Sequence, residues 1–183
     1  MLTLLYAGNL GLGHDLETLV LALAKMNGQA NIKAVFVGEG KAKKQLLREV
    51  RDLEIRNVEF RPPVPLFKLP ALLAEGDVHF VSQKAGTQGL IVPSKIYSTL
   101  AARRPSIFIG PCDCEPAIIV KESKSGFVIE PGDVDGTIEA LTKLTNDSKL
   151  LLEMGERAKS YYQDHFGRQK SIASIINVIE AMK

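Results

Sequence analysis

A regular alternation constrains this chain more than any single motif. Short apolar runs, closed by glycine, proline or turn residues, take turns with longer stretches whose apolar residues recur at helical spacing. The runs fall at residues 3–8, 33–38, 57–60, 77–82, 105–110 and 126–133. The helical stretches fall at 15–26, 41–53, 66–76, 93–102 and 115–123, and from Val134 the chain is helical with breaks near 146–147 and 166–167. Short apolar strands separated by helices predict a parallel sheet covered on both faces. Short connections and right-handed crossovers then make one doubly wound, Rossmann-like α/β domain over residues 1–183. No repeat, low-complexity tract or Pro/Gly/Ser linker divides it.

In sheets of this kind ligands collect at the carboxyl ends of the strands. That rule selects the loops 8–14, 38–40, 62–65, 82–92 and 110–115. The net charge of +2 gives no global field for nucleic acid, so any anion site must be local. Cys112 and Cys114 lie too close in sequence for an easy mutual disulfide, and no second pair completes a zinc site. This reads as a reducing, cytoplasmic chain. No acidic pair in an exposed loop suggests a metal-held diphosphate, so neither metal nor cofactor is expected. No apolar run approaches the roughly 20 residues of a membrane span. The opening MLTLLYAGNLGLG lacks a basic start and breaks early at glycine, unlike a signal peptide.

Two loops stand out. The first, AGNLGLGHDLETL, carries Gly8, Gly11 and Gly13 between a strand and a helix that Asp15 can cap. Its glycine spacing is not GxGxxG, and the second strand ends in Gly38, Glu39 and Gly40 rather than in a ribose-binding acid. Both points argue against an NAD-dependent enzyme. The glycines fit either a tight turn or close approach to a phosphate or sugar. The second stretch, IVPSKIYSTLAARRP, starts a helix at Pro93 and Ser94 and places Lys95 in its first turn. A cation there costs a few tenths of a kcal/mol unless an anion accompanies it. The preceding loop adds Lys84, Gly86, Thr87, Gln88 and Gly89, a set suited to a diphosphate. Equally, Lys95 could extend to solvent from an ordinary helix start. Arg103 and Arg104 read as cations offsetting the dipole at the other end. His79 reads as a core or edge histidine and His165 as a surface one, while His14, on the glycine loop, reads as a ligand contact. Glu115 reads as the start of a helix.

The stretches YAGNLGLGHDLETLVLA, FVGEGKAKKQL, NVEFRPPVPLFKLPALLAEGDVHFV, IVPSKIYSTLAARRP and GFVIEPGD, in that order, resemble the C-terminal half of GT-B glycosyltransferases of the group 1 (family 4) type. The PSK variant is most similar to that of bacterial transferases that build envelope polysaccharides, the colanic-acid kind among them. The resemblance implies a domain that holds a nucleotide-sugar donor, UDP-sugar first, for retaining transfer to a polysaccharide or lipid-linked acceptor. It implies that an N-terminal acceptor domain is absent, that the isolated domain is inactive or nearly so, and that its bared cleft face self-associates. Association with the inner face of a membrane follows only from the lipid-linked acceptors of such pathways. By resemblance, Gly8, Asn9, Gly11 and His14 fall near the donor phosphates, with Lys84, Gly86, Thr87, Ser94 and Lys95 completing the phosphate side. Gly38, Glu39, Pro63 and Val64 fall beside the nucleotide and its base. Many members place an arginine and a lysine where this chain has Asn9 and His14, and a ribose-binding glutamate where it has Ser98. Lys84 and Lys95 are the cations available to replace them. The alternative reading is a non-catalytic nucleotide-binding or interaction domain of the same fold.

Overall fold

A computed structural model describes residues 1–27, 31–91 and 93–182. Six strands form one parallel sheet: β1 (Leu2–Ala7), β2 (Ile32–Val37), β3 (Val58–Arg61), β4 (Val78–Ser82), β5 (Ser106–Ile109) and β6 (Gly126–Ile129), in the order β3-β2-β1-β4-β5-β6. The helices are α1 (Glu17–Lys25), α2 (Lys43–Asp52), α3 (Leu69–Glu75), α4 (Lys95–Ala101), α5 (Glu115–Ser123), α6 (Val134–Asn146), α7 (Ser148–His165) and α8 (Arg168–Ala181). A 3-10 turn, Leu66–Lys68, leads into α3 and precedes Pro70, which the first helical turn tolerates.

The period of two along each strand sorts the core into two faces. Leu4, Tyr6, Phe36, Phe80, Ile107 and Ile109 pack with Leu19 and Leu23 of α1, Leu46 and Val50 of α2, and Leu141 and Leu144 of α6. Their neighbours along the strands face the other way. Leu5, Val35 and Val37 meet Leu72 of α3. Val81 and Phe108 meet Ile96 and Leu100 of α4 and Ala117 and Val120 of α5. The predicted doubly wound sheet is thus the observed one. α8 is an exception, with no buried residue and with Ile172, Ile175, Ile176, Val178 and Ile179 exposed.

Several boundaries differ from the sequence reading, each for a local reason. α1 begins at Glu17 because Asp15 lies outside it, its carboxylate accepting from the Thr18 backbone N–H at 3.0 Å and the Thr18 hydroxyl at 3.1 Å. β6 stops at Ile129, since Pro131 cannot donate to a ladder and Gly132 turns at φ 87°. α4 starts at Lys95, two residues later than expected, and Val92 in the loop before it lies outside the described residues. Arg103 and Arg104 do not act as dipole cations within the last turn of α4. Arg103 follows the helix at φ 58° and bridges Glu156 of α7, and Arg104 donates to the Ala74 carbonyl at 2.7 Å. His79 is core, with ring nitrogens 3.1 Å from the Thr99 hydroxyl and 2.9 Å from the Leu73 carbonyl. His165 is exposed at the end of α7. Cys112 is exposed, Cys114 is buried and both are free.

Candidate functional site

The strand order reverses between β1 and β4, the position where doubly wound sheets open a crevice. Here the two strands share register only at Leu4↔Val78 and Leu5↔His79, although β1 runs on to Ala7 and β4 to Ser82. Their last residues diverge, and loop 8–14 bridges the gap. His14 Nδ1 lies 2.7 Å from the Ser82 carbonyl, and the Lys84 N–H donates to the Gly13 carbonyl at 2.8 Å. A carbonyl can only accept, so the hydrogen of the neutral ring is on Nδ1 and Nε2 is left as an acceptor.

Lys95 comes to this point from the other side of the crevice. Its stem crosses Gly8 so closely that a Cβ there would lie 2.6 Å from Lys95 Cε. Its ammonium is 4.9 Å from the centre of the Tyr6 ring and 3.4 Å from His14 Nε2. The Tyr6 hydroxyl donates to the Asn9 carbonyl at 2.6 Å, and this buried ring is the platform beneath the cation. Among the described residues Lys95 makes no ion pair. Burial draws its pKa down to about 8. His14 is also lowered, first by burial and then by the Lys95 charge, with the Ser82 hydrogen bond acting the other way.

Next to Lys95 opens a cleft of about 330 Å³. Gly8, Asn9, Gly38, Glu39, Pro63, Val64 and Ser98 all line it. Its floor is apolar because Val37 and Leu72 belong to the small core under α3, with Val64, Leu69 and Leu73 packed on it. The glycines of its rim have a purpose the sequence did not show, because the two loops touch backbone to backbone. Gly8 N–H donates to Val37 O at 2.9 Å, Leu10 N–H to Glu39 O at 2.8 Å, and Ala42 N–H to Leu10 O at 2.9 Å. A Cβ on Gly38 would meet Gly8 O at 2.0 Å, and one on Gly40 would meet Leu10 O at 2.2 Å.

Glu39 is exposed, but its carboxylate accepts from Lys43 at 2.6 Å, and Lys43 also donates to the Gly38 carbonyl at 3.2 Å. The spacing of four residues between Glu39 and Lys43 is the signal for this pair in the sequence. Tyr6, read only as a strand residue, was also missed as a site residue. Ser98 donates its hydroxyl hydrogen to the Lys95 carbonyl at 2.8 Å, leaving oxygen lone pairs toward the cleft.

The remaining candidates separate from this cluster. Lys84 is exposed and lines a small cavity of about 80 Å³ on the α1–α2 side of His14, with Leu12 and Glu49. The loop that carries it is a closed turn. Thr87 spends its hydroxyl on the Lys84 carbonyl at 2.7 Å, and Gly86 N–H donates to Gln88 Oε1 at 2.8 Å. Ser94 precedes α4 without a side-chain cap bond, and α4 has only seven residues. Lys84, Gly86 and Thr87 are not among the residues that line the cleft beside Lys95. Gly11 lies under the side chains of Asn9 and His14, where a Cβ would come 3.1 Å from Asn9 Nδ2.

A crevice at the strand-order reversal, with an apolar floor and beside it a lysine that makes no ion pair among the described residues, is where doubly wound sheets hold their ligands. Comparison with known proteins gives the family. The model of the glycosyl transferases group 1 matches residues 2–161, and the chain belongs to that family. It is 29% identical over 184 residues to the putative colanic acid biosynthesis glycosyl transferase WcaI of Escherichia coli (strain K12), covering 96% of this chain and 42% of WcaI. Among solved structures, Anabaena Alr3699/HepE in complex with UDP is similar in fold, with a TM-score of 0.83, 17% identity, and coverage of 98% of this chain and 48% of that one. So is the C-terminal domain of the group 1 family protein LpcC from Francisella tularensis, with a TM-score of 0.72, 17% identity, and coverage of 90% and 86%. The chain spans less than half the length of WcaI.

Proposed function

We propose that this chain is the donor half of a glycosyltransferase: one Rossmann-like domain that binds a UDP-sugar for retaining transfer to a polysaccharide or lipid-linked acceptor held by a separate domain. The observation that carries the reading is Lys95, a partly buried ammonium with no carboxylate partner among the described residues, laid across Gly8 at the strand-order reversal. Leaving a desolvated cation unpaired is costly, and an arriving anion removes that cost. The adjoining cleft has the apolar floor and backbone-lined rim that a base and ribose require, running from Gly8 past Gly38 to Pro63 and Val64. The nucleotide would lie along this floor, with its diphosphate over Gly8 and Lys95. Departure of the nucleoside diphosphate leaves charge on the leaving oxygens, and on this reading Lys95 is the fixed cation that stabilises it. Ser98 offers the ribose a hydroxyl where relatives by resemblance offer a carboxylate. HepE, which is similar in fold, was solved with UDP, and this supports the choice of base.

A thermal-shift panel tests the reading. UDP and UDP-glucose raise the melting temperature of the chain more than GDP, ADP or NAD at equal concentration. A larger shift with NAD, or none with any nucleotide, sinks it.

A further inference from the structure

One of the two links across the gap between the ends of β1 and β4 is an imidazole, and the two nitrogens of that ring do different things. Nδ1 faces the Ser82 carbonyl at 2.7 Å, which fixes the hydrogen on that nitrogen. Nε2, left with a lone pair, faces the Lys95 ammonium at 3.4 Å. We infer that His14 is a positioning residue, a neutral imidazole whose Nε2 lone pair holds the Lys95 ammonium above Gly8, where the diphosphate of the proposed donor would arrive.

The geometry explains why a ring is needed. Lys95 has a long flexible stem, and by itself the Tyr6 face fixes only one direction, since a cation–π contact restrains height above the ring more than position along it. The imidazole supplies the second direction. Its plane is set edge-on to Tyr6, with centroids 6.0 Å apart and an interplanar angle of 77°. The ring is itself anchored to β4, so Lys95 is referenced to the sheet rather than to a loop. An ammonium has three donors, and His14 engages one, leaving two for an incoming anion.

Protonation would end this arrangement, because an imidazolium has no lone pair for Lys95 and repels it. Burial and the Lys95 charge both hold His14 below its ordinary pKa, consistent with a neutral ring at physiological pH. The other charged groups facing the ring are Asp15, Glu17, Glu49 and Lys84, which line the small cavity on its far side. Asp15 is already engaged by Thr18.

Because the effect on ligand rests on the donor reading, the test has one arm without ligand and one with it. In the ligand-free chain, nitrogen-15 NMR of labelled histidine at pH 7.5 should show His14 as the Nδ1–H tautomer, and Lys95→Met should move its Nε2 resonance downfield as that lone pair loses its donor. The opposite tautomer, or an Nε2 resonance indifferent to Lys95→Met, overturns the inference whether or not any nucleotide binds. In the ligand arm, the UDP dissociation constant is measured for three substitutions. His14→Gln can place an acceptor near the Nε2 position and stays within about threefold of wild type, whereas His14→Asn, which keeps only the contact to Ser82, weakens binding about tenfold, as does His14→Ala. In the Lys95→Met background all three become equal. Asn outperforming Gln, or losses that persist without Lys95, would show that the link to Ser82 is what matters. If wild type fails to bind UDP, the donor reading falls and the pair is judged on the NMR arm alone.

Discussion

Loop 8–14 and loop 83–93 each follow a buried strand, carry glycines and end at a helix, yet the chain uses their glycines in different ways. Around the first loop, a Cβ on Gly8, Gly38 or Gly40 would strike a lysine stem or a carbonyl oxygen within 2.6 Å. Around the second, Gly86 and Gly89 have nothing within 4 Å and serve only to turn the chain at φ 79° and 76°. The cations divide likewise. Lys95 is packed over the first loop, while Lys84 on the second is exposed. A glycine between strand and helix can thus mean contact or merely curvature, and only contact builds a site.

The largest test of this contrast is steric. Gly38→Ala combines a strained φ with a collision against the Gly8 carbonyl and should cost about 3 kcal/mol or more. Gly86→Ala has only its positive φ to oppose it and should cost about 1 kcal/mol. Urea denaturation of both variants decides, and equal losses would break the comparison.

Next comes charge. Lys95→Met should weaken UDP binding roughly tenfold to a hundredfold, the range of lost hydrogen bonds to a charged group, while Lys84→Met changes it by less than about threefold. The pH dependence sharpens this. The pKa of Lys95 is drawn down to about 8, so UDP affinity should fall as pH rises through that value, and Lys95→Arg should flatten the profile. The stability effect has the opposite sign. Below about pH 8 both folded and unfolded chains carry the proton, and the cost of burying the charge is fully present. Between 8 and the ordinary value of 10.5 only the unfolded chain holds it, so stability rises with pH. Denaturation of wild type and Lys95→Met across that window should converge; a constant difference would mean that Lys95 is not desolvated.

The smallest effects lie at the loop ends. Asp15→Ala removes the cap between the tethered loop and α1 and should cost about 1 kcal/mol. Thr87→Ala removes a bond internal to the exposed turn and should cost no more than about 0.5 kcal/mol. Melting temperatures of the pair rank them, and a larger loss at Thr87 would show that the second loop is tied down after all.

The six strands and the covering helices were legible because buried strands and amphipathic helices leave periodic traces in a sequence. Gly8, Asn9, Gly38, Glu39, Pro63, Val64 and Ser98, all singled out in the sequence, line one cleft. Lys84, Gly86 and Thr87 were grouped with Lys95 as a set suited to a diphosphate; they do not line that cleft, and Gly86 and Thr87 make bonds within their own turn. Lys43 was not singled out in the sequence, and the structure pairs it with Glu39 at the cleft rim. Arg103 and Arg104 looked like dipole cations, but each finds a partner on another helix.

The sequence alone determined the sheet, its winding and the edge at which the cleft opens, because hydrophobic periodicity and connection handedness depend on local pattern. The tertiary structure decided which cation faces the crevice. Lys95 acquires its role from Gly8, Tyr6 and His14, which lie more than 80 residues earlier in the chain and meet it only because β1 and β4 adjoin in the sheet. Desolvation and tautomer are properties of that meeting, so no reading of the residues around Lys95 could have supplied them.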